Sequence, residues 1–467
     1  MLSNHPATQQ VSVRGPRAAE SGLIALFGGC TVLFAAYPVW RIFYPIEIDR
    51  NEAWNAYHVD SILTGLPLYP AADALIVNNY PPLSFYLVAA LSYFASDVII
   101  AGRILSVVAI LGIGACIFGC VRAFNGSYRG ALIGALWFVA VIVHNFPNYA
   151  GMNDPQLLAL FIMAGAFLWF VRRVSAKEDK VAPFVLMAAA GFFKHNIIAI
   201  PAASVAWLVL TEGRSASRPI AALILATGFG LAVCFISFGP VFLDNLLMPR
   251  VFSWGHFVYR LPTIQWVAPA VILCALGLYH NRSTGWVRMI RLLFVTSSFS
   301  FLLQSWGEGV NENAMFEMVF ALAIAVGFFF DRFPNSRLRS MPIVIMIVLL
   351  LRLLLSPALE DAAILVSPQY RGMYARHAEV FAAEVTRIRS LEGNVSCSVM
   401  SVCRRAGKPF VYDAFYVSEL LKTRNFVGSQ IERVTRERNI NFESIDVRTT
   451  IVPLQIRTSN FFSMIAQ

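Results

Sequence analysis

Long apolar runs, separated by short polar loops, restrict what this chain can fold into more than any other feature. A helix needs roughly 20 apolar residues to cross a bilayer. Runs of that order sit at 22–45, 99–121, 128–147, 155–171, 181–194, 196–211, 219–240, 264–280, 287–305, 314–330 and 341–357. The pair meeting at Lys194 is short and reads as two half-spans joined at a break. Charged residues make up only 14% of the chain and hydrophobic ones 57%, against about 25% charged in soluble domains. The expected fold class is therefore an α-helical polytopic membrane protein with about eleven transmembrane helices.

The net charge of +10 could suggest nucleic acid. Its placement argues otherwise, because the cations sit mostly in short loops and form no basic stripe with interleaved aromatics. No nucleic-acid partner is expected; the lipid bilayer is. One set of loops carries Arg14, Arg17, Arg122, Arg129, Arg172, Arg173, Lys177, Lys180, Arg214, Arg218, Arg282, Arg288, Arg291, Arg332, Arg337 and Arg339. The opposite set carries only Arg50, Arg103, Lys194, Arg250 and Arg260. The positive-inside rule puts the first set, with the N-terminus, in the cytoplasm. Residues 1–21 are polar, and the apolar run after them is too long for a signal-peptide core, so it reads as a first membrane helix.

This topology divides the chain into a cytoplasmic N-terminus (1–21), a membrane domain (22–357) with a first outer loop at 46–98, and an outer soluble domain (358–467). The last has an α/β pattern. It reads as a helix at Gln369–Leu391, strands at Val395–Val399 and Pro409–Tyr412, helices near Val417–Lys422 and Ser429–Arg438, and a strand at Phe442–Thr449. Cys397 and Cys403 lie close together here, on the oxidising side, where a disulfide can form. The other five cysteines fall in apolar runs and read as small core residues. No CxxC pair or HExxH pattern suggests zinc.

Unusual polar residues collect on the outer side. The first loop, Ile46–Leu83, packs Asp49, Glu52, His58 and Asp60 beside Trp54, Tyr57, Tyr69, Asn79 and Tyr80. Its residues 50–66 read as a surface helix with Trp54 and Tyr57 at headgroup level. Asp49 and Glu52, three residues apart, would share a helix face or form a cap. A carboxylate partly withdrawn from water has a raised pKa and can take a proton from an acceptor hydroxyl. Asp154 precedes Pro155 and can cap the next helix, orient a hydroxyl, or hold a cation. The only cofactor these acids suggest is a divalent metal ion, with Asp49 and Asp154 as its candidate ligands. Lys194 and His195, with Arg250 and Arg260 near His256 and Tyr259, are the candidates to neutralise a phosphate leaving group. Glu308, Asn311 and Glu312, in the glycine-containing loop 307–313, are candidates to line a sugar pocket. Segment 82–97 is apolar but short, and reads as an interfacial or re-entrant helix.

The order of these features carries a resemblance. Acids in the first outer loop are followed by Leu68-Tyr69-Pro70, by Asn79-Tyr80-Pro81-Pro82-Leu83, by Asn153-Asp154-Pro155 and by Gly191–Asn196. Ala406-Gly407-Lys408-Pro409-Phe410 and Tyr412-Asp413 follow in the tail. In this order the chain resembles the GT-C superfamily of membrane glycosyltransferases, within it the protein O-mannosyltransferase and lipid A aminoarabinose transferase branches. The resemblance implies an inverting transferase that moves a sugar from a polyprenyl-phosphate-linked donor. The acceptor would be a hydroxyl or phosphate on a lipid, polysaccharide or protein. It implies that Asp49 is the catalytic acidic position and Asp154 the second functional aspartate, and it places the protein in a bacterial inner membrane with its catalytic loops and C-terminal domain periplasmic. Where aminoarabinose transferases carry a lysine, this chain has Asn78-Asn79-Tyr80; where the Lys-Gly pair is typical, it has Lys194-His195. A transporter or flippase of a lipid-linked saccharide is the alternative. It would need polar residues running through the helices, whereas here they gather at one end.

Overall fold

A computed structural model describes residues 17–281, 285–330, 332, 341–355, 364–423 and 428–445. The first helices are α1 (Arg17–Trp40), α2 (Arg50–Leu63), α3 (Leu83–Ser92), α4 (Val98–Ala123), α5 (Tyr128–Asn145) and α6 (Pro155–Ala176). They are followed by α7 (Val181–Gly191), α8 (Ala199–Glu212), α9 (Ser217–Phe238), α10 (Val241–Leu246), α11 (Trp254–Arg260) and α12 (Ala268–His280). The membrane domain ends with α13 (Gly285–Gln304), α14 (Phe316–Phe329) and α15 (Met341–Leu354). The tail holds α16 (Pro368–Ser390), β1 (Asn394–Cys397), α17 (Met400–Arg405), α18 (Ala414–Lys422), α19 (Gly428–Glu437) and β2 (Ile440–Glu443).

Among the described residues seven helices are long and apolar enough to cross a membrane, or eight if the bent pair at Trp254–His280 is one span. That is fewer than the eleven expected. The helix Val181–Gly191 has 11 residues and Met341–Leu354 has 14, too few for a bilayer at about 1.5 Å per residue. Helices α8 and α9 form one 40-residue run, divided by a short turn at Gly213–Ala216. The apolar stretch expected to lie at the interface is α3, only ten residues long.

Helix α14 is the hub, with 94% of its apolar window buried. It meets α5 at backbone distance: a Cβ on Gly134 would lie 2.5 Å from the Ala323 carbonyl, and one on Gly130 would lie 2.2 Å from that of Gly327. Small residues four apart let two helices touch this closely. Glu317, buried on α14, accepts hydrogen bonds from the N–H groups of Ile198, Ala199 and Ile200 at 3.0–3.2 Å. It thereby satisfies donors that the start of α8 would otherwise leave orphaned.

The tail differs from expectation at two places. Pro409–Tyr412 forms no strand; instead the Asp413 N–H donates to the Leu75 carbonyl at 2.8 Å, tying the tail to the first loop. The two-stranded sheet is β1 paired in parallel with β2, and the part of the expected last strand beyond 445 lies outside the described residues, as do Arg14, Arg282, Arg337 and Arg339. Cys397 and Cys403 are disulfide-bonded.

Candidate functional site

Four helix starts, each with an aspartate side-chain cap, lie on the side of the first outer loop and the tail. Asp49 accepts from the Asn51 N–H at 2.9 Å, Asp97 from Ile99 at 2.7 Å, Asp154 from Gln156 at 2.8 Å and Asp413 from Phe415 at 2.9 Å. All four carboxylates share the capping role, and their surroundings separate what else they do.

The loop between α1 and α2 is organised by Arg103. Its side chain is fully buried. It donates to both oxygens of Glu52 at 2.9 and 2.7 Å, and to the carbonyls of Arg41, Tyr44 and Ile46 at 2.6–2.8 Å. Glu52 also accepts from the N–H groups of Ile48 and Asn153 at 2.7 and 2.9 Å. Four donors occupy its lone pairs, so Glu52 is not available to a substrate. It is a buried structural partner of Arg103 rather than a catalytic acid.

Asp49, held on this frame, is partly exposed and lines a cavity of about 160 Å³. Around it stand Arg50, Asn51, Trp54, Asn79, Tyr80, Arg250 and Asn311. From the tail come Met400, Asp413 and Phe415. Burial raises the Asp49 pKa above the usual carboxylate range, and the nearby Glu52 and Asp154 charges add to it, against the Asn51 N–H and Arg50. Gly309 also lines the cavity with φ of +77°, and a Cβ there would collide with the Phe415 ring at 2.3 Å. Only glycine fits that junction of loop and tail.

Two loops pair to present Arg250 and Asn311. The Ser253 N–H donates to the Trp306 carbonyl and the Glu308 N–H to that of Val251, both at 2.9 Å. Among the described residues no carboxylate comes within ion-pair distance of Arg250; the charge of Glu419 acts on it only from further off, so its guanidinium faces the cavity without a direct salt bridge.

Asp154 is not beside the cavity's open space. Its two oxygens each lie 3.2 Å from Lys194 Nζ, and both side chains are buried. Lys194 also sits 4.0 Å above the Tyr80 ring. Burial alone would lower the lysine pKa, but Asp154 and Tyr80 hold it above its ordinary value. The expected phosphate-neutralising Lys194 is thus already neutralised, and it supports Tyr80 from behind. A divalent ion on Asp154 would be forced against this ammonium. No group of three or more His, Cys, Asp or Glu side chains converges among the described residues. The residues present do not fit a metal held by Asp49 and Asp154.

Other expected residues separate in the same way. His58 is buried, with Nε2 bonded to the Val77 carbonyl at 3.1 Å, and burial lowers its pKa to about 3. It is a neutral structural group, not a substrate ligand. Trp54 and Tyr57, expected at headgroup level, are also buried. Trp54 donates to Asp413 at 3.0 Å, and Tyr57 stacks on Phe410. His195 is exposed and does not line the cavity. Arg260 is held by Asn311 and lies 3.9 Å from Glu312, so it buttresses the cavity wall from outside. Glu308 pairs with Lys422 of the tail.

Arg103 and Asn245 are important residues to which sequence reasoning assigns no site role, and Asp413 enters it only as part of a tail motif. Asn245 accepts from the Asn78 N–H and donates to the Pro70 carbonyl, both at 2.9 Å, fixing the irregular 68–80 segment that carries Asn79 and Tyr80. Asp413 could have been found by its capping position before an amphipathic helix. Nothing local marks the other two.

No family model and no curated protein sequence matches the chain. Solved structures do. ArnT from Cupriavidus metallidurans bound to undecaprenyl phosphate matches with TM-score 0.56 and 14% identity, over 87% of this chain and 91% of that one. The Archaeoglobus fulgidus oligosaccharyltransferase in its apo form matches with TM-score 0.53 and 13% identity, over 90% of this chain and 69% of that one. The archaeal oligosaccharyltransferase AglB from Archaeoglobus fulgidus, in complex with an inhibitory peptide and a dolichol-phosphate, matches with TM-score 0.50 and 11% identity, over 91% of this chain and 69% of that one. The chain therefore has the GT-C fold, that of a multi-pass membrane protein.

Proposed function

We propose that the protein is an inverting glycosyltransferase that moves a sugar from a polyprenyl-phosphate carrier to an acceptor at the acidic end of the bundle. One observation carries this reading: Asp49, a carboxylate made more basic by burial, shares a small cavity with Arg250, which has no salt-bridge partner among the described residues. An apolar groove of about 570 Å³ lies close by, between α3, α7 and α9, lined by Leu83, Tyr86, Phe192, Phe229 and Phe238 among others. It starts at Pro82, two residues after the cavity's Tyr80. A polyprenyl chain suits such a groove by its apolar character. Two of the structural relatives hold polyprenyl phosphates, which supports the same class of ligand here.

In this mechanism Asp49 takes the proton of the acceptor hydroxyl as its oxygen attacks the anomeric carbon. The bond from that carbon to the phosphate oxygen breaks, and the carrier phosphate leaves with the electron pair. Arg250 stabilises the negative charge that develops on it. Asn79, Tyr80 and Asn311 supply hydrogen-bonding groups to orient the sugar. No step uses a metal ion. A transporter would need a polar path through the bundle, and the central α14 is instead apolar from Met318 to Phe329.

The test is lipid mass spectrometry of membranes from a deletion strain, its complement and an Asp49→Asn complement. The expected result is a polyprenyl-phosphate sugar that accumulates in the deletion and Asn strains, with loss of that sugar from one glycoconjugate. An Asn strain identical to wild type would remove Asp49 as the base; no lipid change in the deletion would remove the transferase reading.

A further inference from the structure

The other end of the bundle carries a second polar cavity. It encloses about 850 Å³ and is lined by Phe118, Arg122, Asn125, Arg172, Ser175 and Trp286 among others. Helices α4 and α6 form its walls. Both begin at the acidic site, capped by Asp97 and Asp154, and both reach this cavity in their last turns. From Asp97 to Arg122 is 25 residues, so the two ends lie roughly 37 Å apart. The hydrocarbon layer is about 30 Å thick. The second cavity therefore falls at the headgroup level of the opposite leaflet.

Its cations stand out by what the neighbouring acids do. At this end Glu20 pairs with Arg129, Glu178 with Arg173 at 2.6 Å, and Glu212 with Lys180 at 3.1 Å. Asp179 accepts from the Val181 N–H at 3.1 Å. None turns to the cavity. Among the described residues neither Arg122 nor Arg172 has a carboxylate partner. Arg122 is steadied by a 2.6 Å bond to the Gly126 carbonyl, and its other donors have no partner among the described residues. The Trp286 ring is fixed by stacking on Phe124 at 4.5 Å and on Trp207 at 6.1 Å. Two guanidiniums, a hydroxyl and an amide beside an aromatic and an apolar wall match a phosphodiester with an acyl chain attached.

We propose that this groove binds the headgroup of an anionic phospholipid, with the phosphate between Arg122 and Arg172 and an acyl chain along Phe118 of α4. The site is independent of the glycosyl-transfer reading and stands whether or not that reading survives. A general excess of cations at cytoplasmic helix ends would also place arginines here, so the test separates one built site from diffuse charge.

The full-length protein, purified and delipidated in detergent, is titrated with phosphatidylglycerol, with phosphatidylcholine of the same acyl chains, and with inorganic phosphate. Bound lipid is counted by native mass spectrometry. Wild type is expected to retain one phosphatidylglycerol with at least tenfold preference over phosphatidylcholine. Arg122→Gln/Arg172→Gln is expected to lose that preference, Arg122→Lys/Arg172→Lys to keep part of it, and the equally charged control Arg214→Gln/Arg218→Gln to keep it in full. Equal loss in both glutamine pairs, or no preference in wild type, overturns the proposal. Phosphate competing as well as the lipid would make the site one for a free anion and overturn it too.

Discussion

Asp49 and Asp154 have the same local chemistry. Each caps a helix through the N–H two residues on, and each was a candidate for the same site. What separates them is a single ammonium: Lys194 lies 3.2 Å from both oxygens of Asp154, while Asp49 faces the cavity. A base must be ionised to work. Because the Asp49 pKa is raised, chiefly by burial, the ionised fraction falls as pH drops through a value above that of an ordinary aspartate, about 3.9. The acid limb of the pH–rate profile is thus expected to lie above that value. In Asp49→Asn the rate is expected to fall by about 10²–10⁴, the usual contribution of general-base catalysis. A transfer assay across pH checks both. Arg250→Gln is expected to slow transfer with intact folding, since among the described residues no carboxylate is salt-bridged to it. Loss of Lys194 would instead leave Asp154 buried and unpaired, so Lys194→Ala is expected to destabilise the protein by about 3–5 kcal/mol, read in thermal unfolding.

The α1–α2 loop with α4 forms the element on which the site rests. Its length and its acids were legible in the sequence, as was the helix at Arg50–Leu63. The role of Arg103 was not. In a run of apolar residues one arginine reads as a topology signal, and only the folded chain shows it gathering several backbone carbonyls and a carboxylate. Burial of such a pair adds little net stability, but removing one partner strands the other. Arg103→Leu is therefore expected to cost about 3–5 kcal/mol and to lower the amount of folded protein in the membrane, measured by detergent-resistant fluorescence of a tagged chain. The double change Arg103→Leu/Glu52→Leu is expected to recover part of that loss. Glu52 itself shows why spacing alone misassigned a role: three residues after a capping aspartate it is well placed for a site, yet its lone pairs are taken by Arg103 and two backbone N–H groups.

For the whole molecule, the tail completes the cavity. Asp413, Phe415 and Met400 line it. Arg404 clamps the tail to the first loop through Asp60 at 2.7 Å and Asp97 at 3.1 Å. Burial would raise the Asp97 pKa, but Arg404, the Ile99 N–H and Arg405 together hold it below the usual range. The stabilisation from that pair is present above the unfolded value of about 3.9 and is lost as pH falls through the lower folded one. Docking of the tail is thus expected to hold at neutral pH and to weaken only below about pH 4, with protease sensitivity of the tail as the measure. Arg404→Ala is expected to weaken docking by about 1.5–3 kcal/mol at neutral pH. The sequence by itself determined that the chain is a helical membrane protein, that its unusual acids sit at one end, and that a small α/β tail follows. These properties depend on composition, apolar run length and capping, all of which act over a few residues. Which acid faces open space, which cation stays unpaired and whether the tail reaches the site were decided only by tertiary structure. They depend on contacts such as Glu52–Arg103, Asp154–Lys194 and Trp54–Asp413, 51, 40 and 359 residues apart, and no local pattern encodes which distant charge will neutralise which.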